Sequence, residues 1–97
     1  MTTPAQILAA VHQVTGCDPA EIVSQCRRHS VLFPRYIALL LLRDSRPFFS
    51  DIELGRLIGI EGHGTARYAL RRAKDMLDQG GYFQQAHNAS KALLTTP

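Results

Sequence analysis

A chain of 97 residues, 45% of them hydrophobic and with a mean hydropathy of -0.08, reads as one soluble globular domain. That size excludes a core combined with a roomy catalytic cleft, and the apolar content excludes a disordered chain. The net charge of +3 is unevenly placed: nine arginines and one lysine against four acids give residues 27–74 a charge of +6, whereas residues 1–26 carry -2 and residues 75–97 carry -1.

The predicted elements are all helical. Thr3 and Pro4 open a first helix that runs through Val14, with Gly16 just beyond its end. Asp18-Pro19-Ala20-Glu21 supplies an N-cap, a first-turn proline and an acid at the third helical position, opening a short helix to about Cys26. Residues 27–30 form a basic connection. The most apolar segment, VLFPRYIALLLLRDS, predicts a helix over 31–45. Pro34 belongs in its first turn, because deeper inside it would remove a backbone bond and clash with the preceding turn. Leu39, Leu40, Leu41 and Leu42 cover every side of this helix in succession, which makes it the buried centre. Ser50-Asp51-Ile52-Glu53 is a capping box that starts a helix stopping at Gly59. After a short turn a longer helix covers 63–79, ended by Gly80-Gly81. A last amphipathic helix over 83–94 turns Phe83, Ala86, Ala89, Ala92 and Leu93 inward. No stretch alternates with period two, so the expected fold is all-α, a compact bundle of five to six helices.

Cationic charge gathered in one half of a chain is the pattern of a phosphate-facing surface, although a solvated charge face produces it too. Cys17 and Cys26 lack a Cys or His at finger spacing, and Cys26 with His29 is too sparse a set for a metal; two reduced thiols are expected. The longest apolar run, 37–42, lies between Arg35 and Arg43 and is too short to span a bilayer. Residues 1–10 lack the basic start and long apolar run of an export signal, so a cytoplasmic protein is expected.

The two helices over 51–58 and 63–79, joined by a short turn, have the helix-turn-helix pattern. Gly55 lets the second helix approach, and Gly59 suits a left-handed turn. Leu54, Leu57 and Ile58 supply the inner face, and Ala66, Ala69, Leu70 and Ala73 the facing one. In this motif the second helix enters the major groove N-terminus first, which sets His63, Gly64 and Thr65 against base edges and Arg67, Tyr68, Arg71 and Arg72 along the next turns.

Residues 7–77 resemble the C-terminal DNA-binding domain of the bacterial replication initiator DnaA. The resemblance is carried by ILAAVHQVTGCDPAEIVSQCRRH, by PRYIALLLLRD and by SDIELGRLIGIEGHGTARYALRRAKDML, where GHGTARYA stands for the family's Asp-His-Thr-Thr-Val-x-His-Ala. It implies a Trp-repressor-like bundle, with residues 1–79 as the DNA-binding domain and residues 80–97 as a tail helix packed on it. It also implies a minor-groove role for Arg27, in a basic loop with Arg28, a place at the DNA face for Arg35, and a place near the backbone for Arg43. Ser50 and Asp51 stand where the family's helix N-terminus meets phosphate, and His63 and Thr65 keep the identities of two groove-reading residues. The chain departs from the family at Gly62, Gly64 and Tyr68, which replace Asp, Thr and His, and at Tyr36, which replaces a common Gln. Each lost base contact removes about 1–3 kcal/mol of discrimination, so affinity is expected to survive better than specificity.

The expected function is sequence-specific binding of double-stranded DNA, through the helix-turn-helix in the major groove and the basic loop in the minor groove, with a regulatory role in replication initiation or transcription. A replication or regulatory protein is the expected further partner; no membrane, nucleotide, cofactor or metal is expected. These residues contain no phosphate-cradling G-x-x-x-x-G-K-[ST] run, so ATPase activity is not expected, and neither a nucleophile elbow nor a paired-carboxylate spacing supports catalysis. The alternative is a protein-interaction module on the same fold with weakened base readout, for which Tyr36, Phe48 and Phe49 are the candidate aromatic patch.

Overall fold

The computed structural model describes residues 2–24 and 29–95. Thr3 opens α1 (Pro4–Thr15) with a full capping box: its Oγ1 accepts from the Gln6 N–H at 3.2 Å, while its own N–H donates to Gln6 Oε1 at 2.9 Å. Gly16, at φ 79, ends the helix by donating its N–H to the His12 carbonyl at 2.7 Å. The left-handed backbone there suits glycine. Ile7, Ala10 and Val11 form the buried stripe of α1.

Asp18 caps α2 (Pro19–Ile22), its Oδ1 accepting from the Ala20 N–H at 3.0 Å. The helix is four residues long and stops well short of Cys26. Ser24 turns the chain out of it, with N–H and hydroxyl both donating to the Glu21 carbonyl, at 3.1 and 2.6 Å. A hydroxyl that takes a helix carbonyl competes with helix continuation.

The central helix α3 (His29–Ser45) begins two residues earlier than the periodicity predicts, which leaves Pro34 inside it. The missing N–H of Pro34 faces the exposed turn at Ser30, where water can meet the carbonyl left over. Burial outweighs that defect, since Ile37, Ala38, Leu39, Leu41 and Leu42 are at most 3% exposed. As expected from its leucine run, α3 contacts each of the other five helices.

Ser50 caps α4 (Asp51–Leu57): its Oγ accepts from the Glu53 N–H at 3.3 Å and donates to Glu53 Oε1 at 3.0 Å. Then follow α5 (His63–Gln79), with the predicted bounds, and α6 (Gly81–Thr95). α6 closes the bundle against α1, α3 and α5. Its inner face is rotated from the expected one. Phe83, Ala86, His87 and Ser90 are buried, whereas Ala89, Ala92 and Leu93 face outward. The i, i+3, i+4, i+7 series is intact, but two of its members are polar. Ser90 tolerates burial because its hydroxyl donates to the Ala86 carbonyl at 2.8 Å. Phe83 meets Phe33 of α3 edge to face, with ring centroids 5.7 Å apart. Among the described residues there is no strand, and no helix is long and apolar enough to cross a membrane.

Candidate nucleic-acid interface

The close crossing of α4 and α5 depends on Gly55. A Cβ there would lie 3.0 Å from the Ala66 Cβ and 3.1 Å from the Ile60 carbonyl oxygen. That carbon would be overpacked against backbone as well as side chain, so the short side of the hairpin admits only glycine without a shift. The turn is drawn back onto the same residue, since Ile58 and Ile60 both donate their N–H groups to the Gly55 carbonyl, at 3.0 and 2.8 Å. Gly59 follows at φ +82, where a Cβ would stand 2.3 Å from the Val23 carbonyl oxygen. The turn therefore rests on the end of α2.

With the crossing set, the period of α5 sorts its residues. Ala66, Ala69, Ala73 and Met76 are buried, with Leu70 half-buried beside them, where the helix packs on α3, α4 and α6. Gly64, Thr65, Arg67, Tyr68, Arg71 and Arg72 are exposed, Tyr68 at 65%. Gly62, at φ 92 and ψ 139, is the N-cap of α5, and no side chain caps the helix. Gly64 differs from Gly55 and Gly59: a Cβ added to it would meet nothing within 4 Å, so the fold itself does not require glycine there. An open cleft of about 650 Å³ runs beside this helix end, lined by Tyr36 and Arg35 of α3 and by Ile60, Glu61, Gly64, Thr65 and Tyr68.

The remaining site residues fall in three places. Arg27 and Arg28 lie outside the described residues, as does the side chain of His63, whose backbone starts α5. Arg43, Ser50, Asp51 and Arg67 gather at the start of α4. The Arg43 guanidinium pairs through Nη2 with Asp51 Oδ1 and donates from Nη1 to the Phe49 carbonyl at 2.6 Å. Arg67 Nε lies 3.9 Å from the other oxygen of Asp51. Asp51 thus joins an arginine of α3 to one of α5, a role that no sequence spacing signals. Its carboxylate is thus turned to these arginines, and the Ser50 hydroxyl is engaged with Glu53.

Arg35 lies apart from these. Expected at the DNA face, it is 6% exposed, with Nε donating to the Ile22 carbonyl at 2.8 Å and Nη2 to the Ser24 carbonyl at 2.7 Å. Its guanidinium is directed at protein carbonyls.

Cys17 is buried, and burial first, then the charge of Glu21, pushes its thiol above the ordinary range. Cys26 lies outside the described residues, and among those described no three His, Cys, Asp or Glu converge as a metal site would require. Phe48, one of the candidate patch residues, is 98% exposed, whereas Phe49 lies under the Arg46 guanidinium, 5.9 Å from its ring centroid.

No protein-family model matches the chain. It is 33% identical over 75 residues to the chromosomal replication initiator protein DnaA of Thermomicrobium roseum, a match that covers 77% of this chain and 16% of that protein. It is 29% identical over 75 residues to the DnaA proteins of two strains of Thermus thermophilus, covering 77% of this chain and 17% of each. The chain therefore spans 16–17% of the length of these curated relatives.

Proposed function

We propose that the chain, similar over 75 residues to DnaA proteins, binds double-stranded DNA as a DnaA C-terminal-domain-like unit, laying the N-terminal half of α5 in the major groove. One observation carries this reading: α5 buries alanines on one side and presents Gly64, Thr65, Arg67, Tyr68 and Arg71 together on the other. A helix whose exposed edge is cationic and whose leading turn is bare can approach base edges, while its arginines meet phosphates on the groove walls. Gly64 supports it further, because glycine costs a helix about 1 kcal/mol relative to alanine and nothing inside the protein offsets that. Thr65 and His63 are the proposed base readers, Thr65 through its methyl and hydroxyl. Arg67, Arg71 and, once released from Asp51, Arg43 are the proposed phosphate contacts. Arg27 and Arg28 are the proposed minor-groove arm, on the resemblance alone.

The biological role that follows is regulation of replication initiation or transcription by occupying sites. Selection of bound sequences from a random duplex library at two salt concentrations tests it. A recovered motif that shifts when Thr65 is replaced by Ala supports groove reading; unchanged, sequence-independent recovery argues against it.

A second reading, a protein partner on the same fold, is favoured by the full exposure of Phe48. It requires a stoichiometric partner that survives nuclease treatment and is lost in Phe48→Ala. Loss on nuclease treatment alone favours DNA.

A further inference from the structure

We propose that Arg35 is a positioning residue of the DNA-binding surface rather than a phosphate contact: together with Gly59 it locks the exit of α2 to the helix-turn-helix turn. This rests on the DNA-binding reading above.

Three successive residues of the α2 exit are held by two different elements. Arg35 of α3 takes the carbonyls of Ile22 and Ser24, at 2.8 and 2.7 Å, one with Nε and one with Nη2. Between those two, the Val23 carbonyl lies against Gly59, so close that a Cβ on the glycine would be 2.3 Å from its oxygen. The planar fork of a guanidinium can hold two carbonyls at once, whereas an ammonium is a single point charge. Helix-end carbonyls carry partial negative charge, which compensates the cation for its near-complete removal from water. A buried cation with Nε and Nη2 both given to protein carbonyls is a poor phosphate ligand. It is well placed to set how the α2 exit, which leads in sequence to the basic pair Arg27-Arg28, lies relative to α5.

The test compares the parent chain with Arg35→Met, Arg35→Lys and Gly59→Ala in duplex binding across salt concentrations and in thermal unfolding. Arg35→Met and Arg35→Lys are each expected to weaken binding by about tenfold or more, the scale of a lost hydrogen bond to a charged group. The salt dependence should keep its slope, because no phosphate contact is removed. Parent-like affinity in Arg35→Lys, or a slope about one unit shallower in Arg35→Met, identifies a phosphate contact and overturns the proposal. In unfolding, Arg35→Met and Gly59→Ala combined should lower the melting temperature by less than the sum of their separate effects, because both act on residues 22–24. Strict additivity overturns the lock. Should Arg35→Met fail to fold, Arg35→Lys carries both measurements. The unfolding cycle uses no DNA, so a parent chain that binds no duplex defeats the DNA reading while the lock is still decided.

Discussion

Asp51 pairs with Arg43 across the start of α4 and simultaneously lies 3.9 Å from Arg67 Nε, so one carboxylate tethers two arginines from different helices. Both arginines are proposed phosphate contacts, and in the unbound protein the carboxylate pairs closely with Arg43 while Arg67 stays largely exposed. Asp51→Asn is therefore expected to tighten duplex binding, and to steepen its salt dependence by about one unit as Arg43 is released. The stability cost should be small, because partly exposed ion pairs contribute about 0–1 kcal/mol. A fluorescence-anisotropy titration at several salt concentrations checks this; weaker binding by Asp51→Asn would show that the carboxylate organises the arginines instead.

Gly64 and Gly55 should respond oppositely to alanine. At Gly64 the added methyl meets open space, so Gly64→Ala should stabilise the protein by about 0.5–1 kcal/mol through helix propensity alone. It should also weaken DNA binding, since the methyl stands where the groove is to approach. Thermal unfolding and binding measured on the same sample check the pair of effects. A stabilised variant with unaltered affinity would remove Gly64 from the interface.

At Gly55 the same methyl would press on Ala66 and on the Ile60 carbonyl oxygen. Overpacking costs about 1–3 kcal/mol, which exceeds the gain in helix propensity. Gly55→Ala should consequently lower the melting temperature by about 4 °C or more, on the usual scale for a domain of this size. An unchanged or higher melting temperature would mean that α5 is free to move away from α4.

Where the chain carries local chemical punctuation, the fold was readable. Thr3, Gly16, Ser50 and Gly80 mark helix ends through their own hydrogen bonds or backbone angles, and the predicted bounds of α1 and α5 fall within one residue of those found. The start of α3 was hidden because Pro34 argued for a later beginning, while burial of Ile37, Leu39 and Leu42 outweighs one absent backbone bond. The inner face of α6 was misread because Ser90 and His87 are polar, and only the i−4 carbonyl explains why a serine is buried. Periodicity sufficed to separate the alanine face of α5 from its exposed edge. Charge alone could not separate Arg35 from its surface counterparts: its carbonyl partners lie 11 and 13 residues earlier, a distance without sequence signature. The same applies to Asp51, whose two arginines come from α3 and α5.

Loss of the Ser50 cap provides a local control on the helix-turn-helix. Ser50→Ala removes the acceptor of the Glu53 N–H and should cost about 1 kcal/mol. Because α4 carries α5 on it, binding should weaken only as far as the folded fraction falls. An affinity loss at full folding, read by circular dichroism beside the binding assay, would instead indicate that Ser50 itself touches DNA.

The salt dependence of duplex binding, compared between the parent chain and Arg67→Ala/Arg71→Ala, bears most directly on the proposed interface. About five or six phosphate contacts predict a log–log slope near -5 for the parent, and removal of two exposed arginines predicts a slope about two units shallower. Identical slopes for the two proteins, or parent binding indifferent to salt, would contradict a cationic α5 lying in the groove.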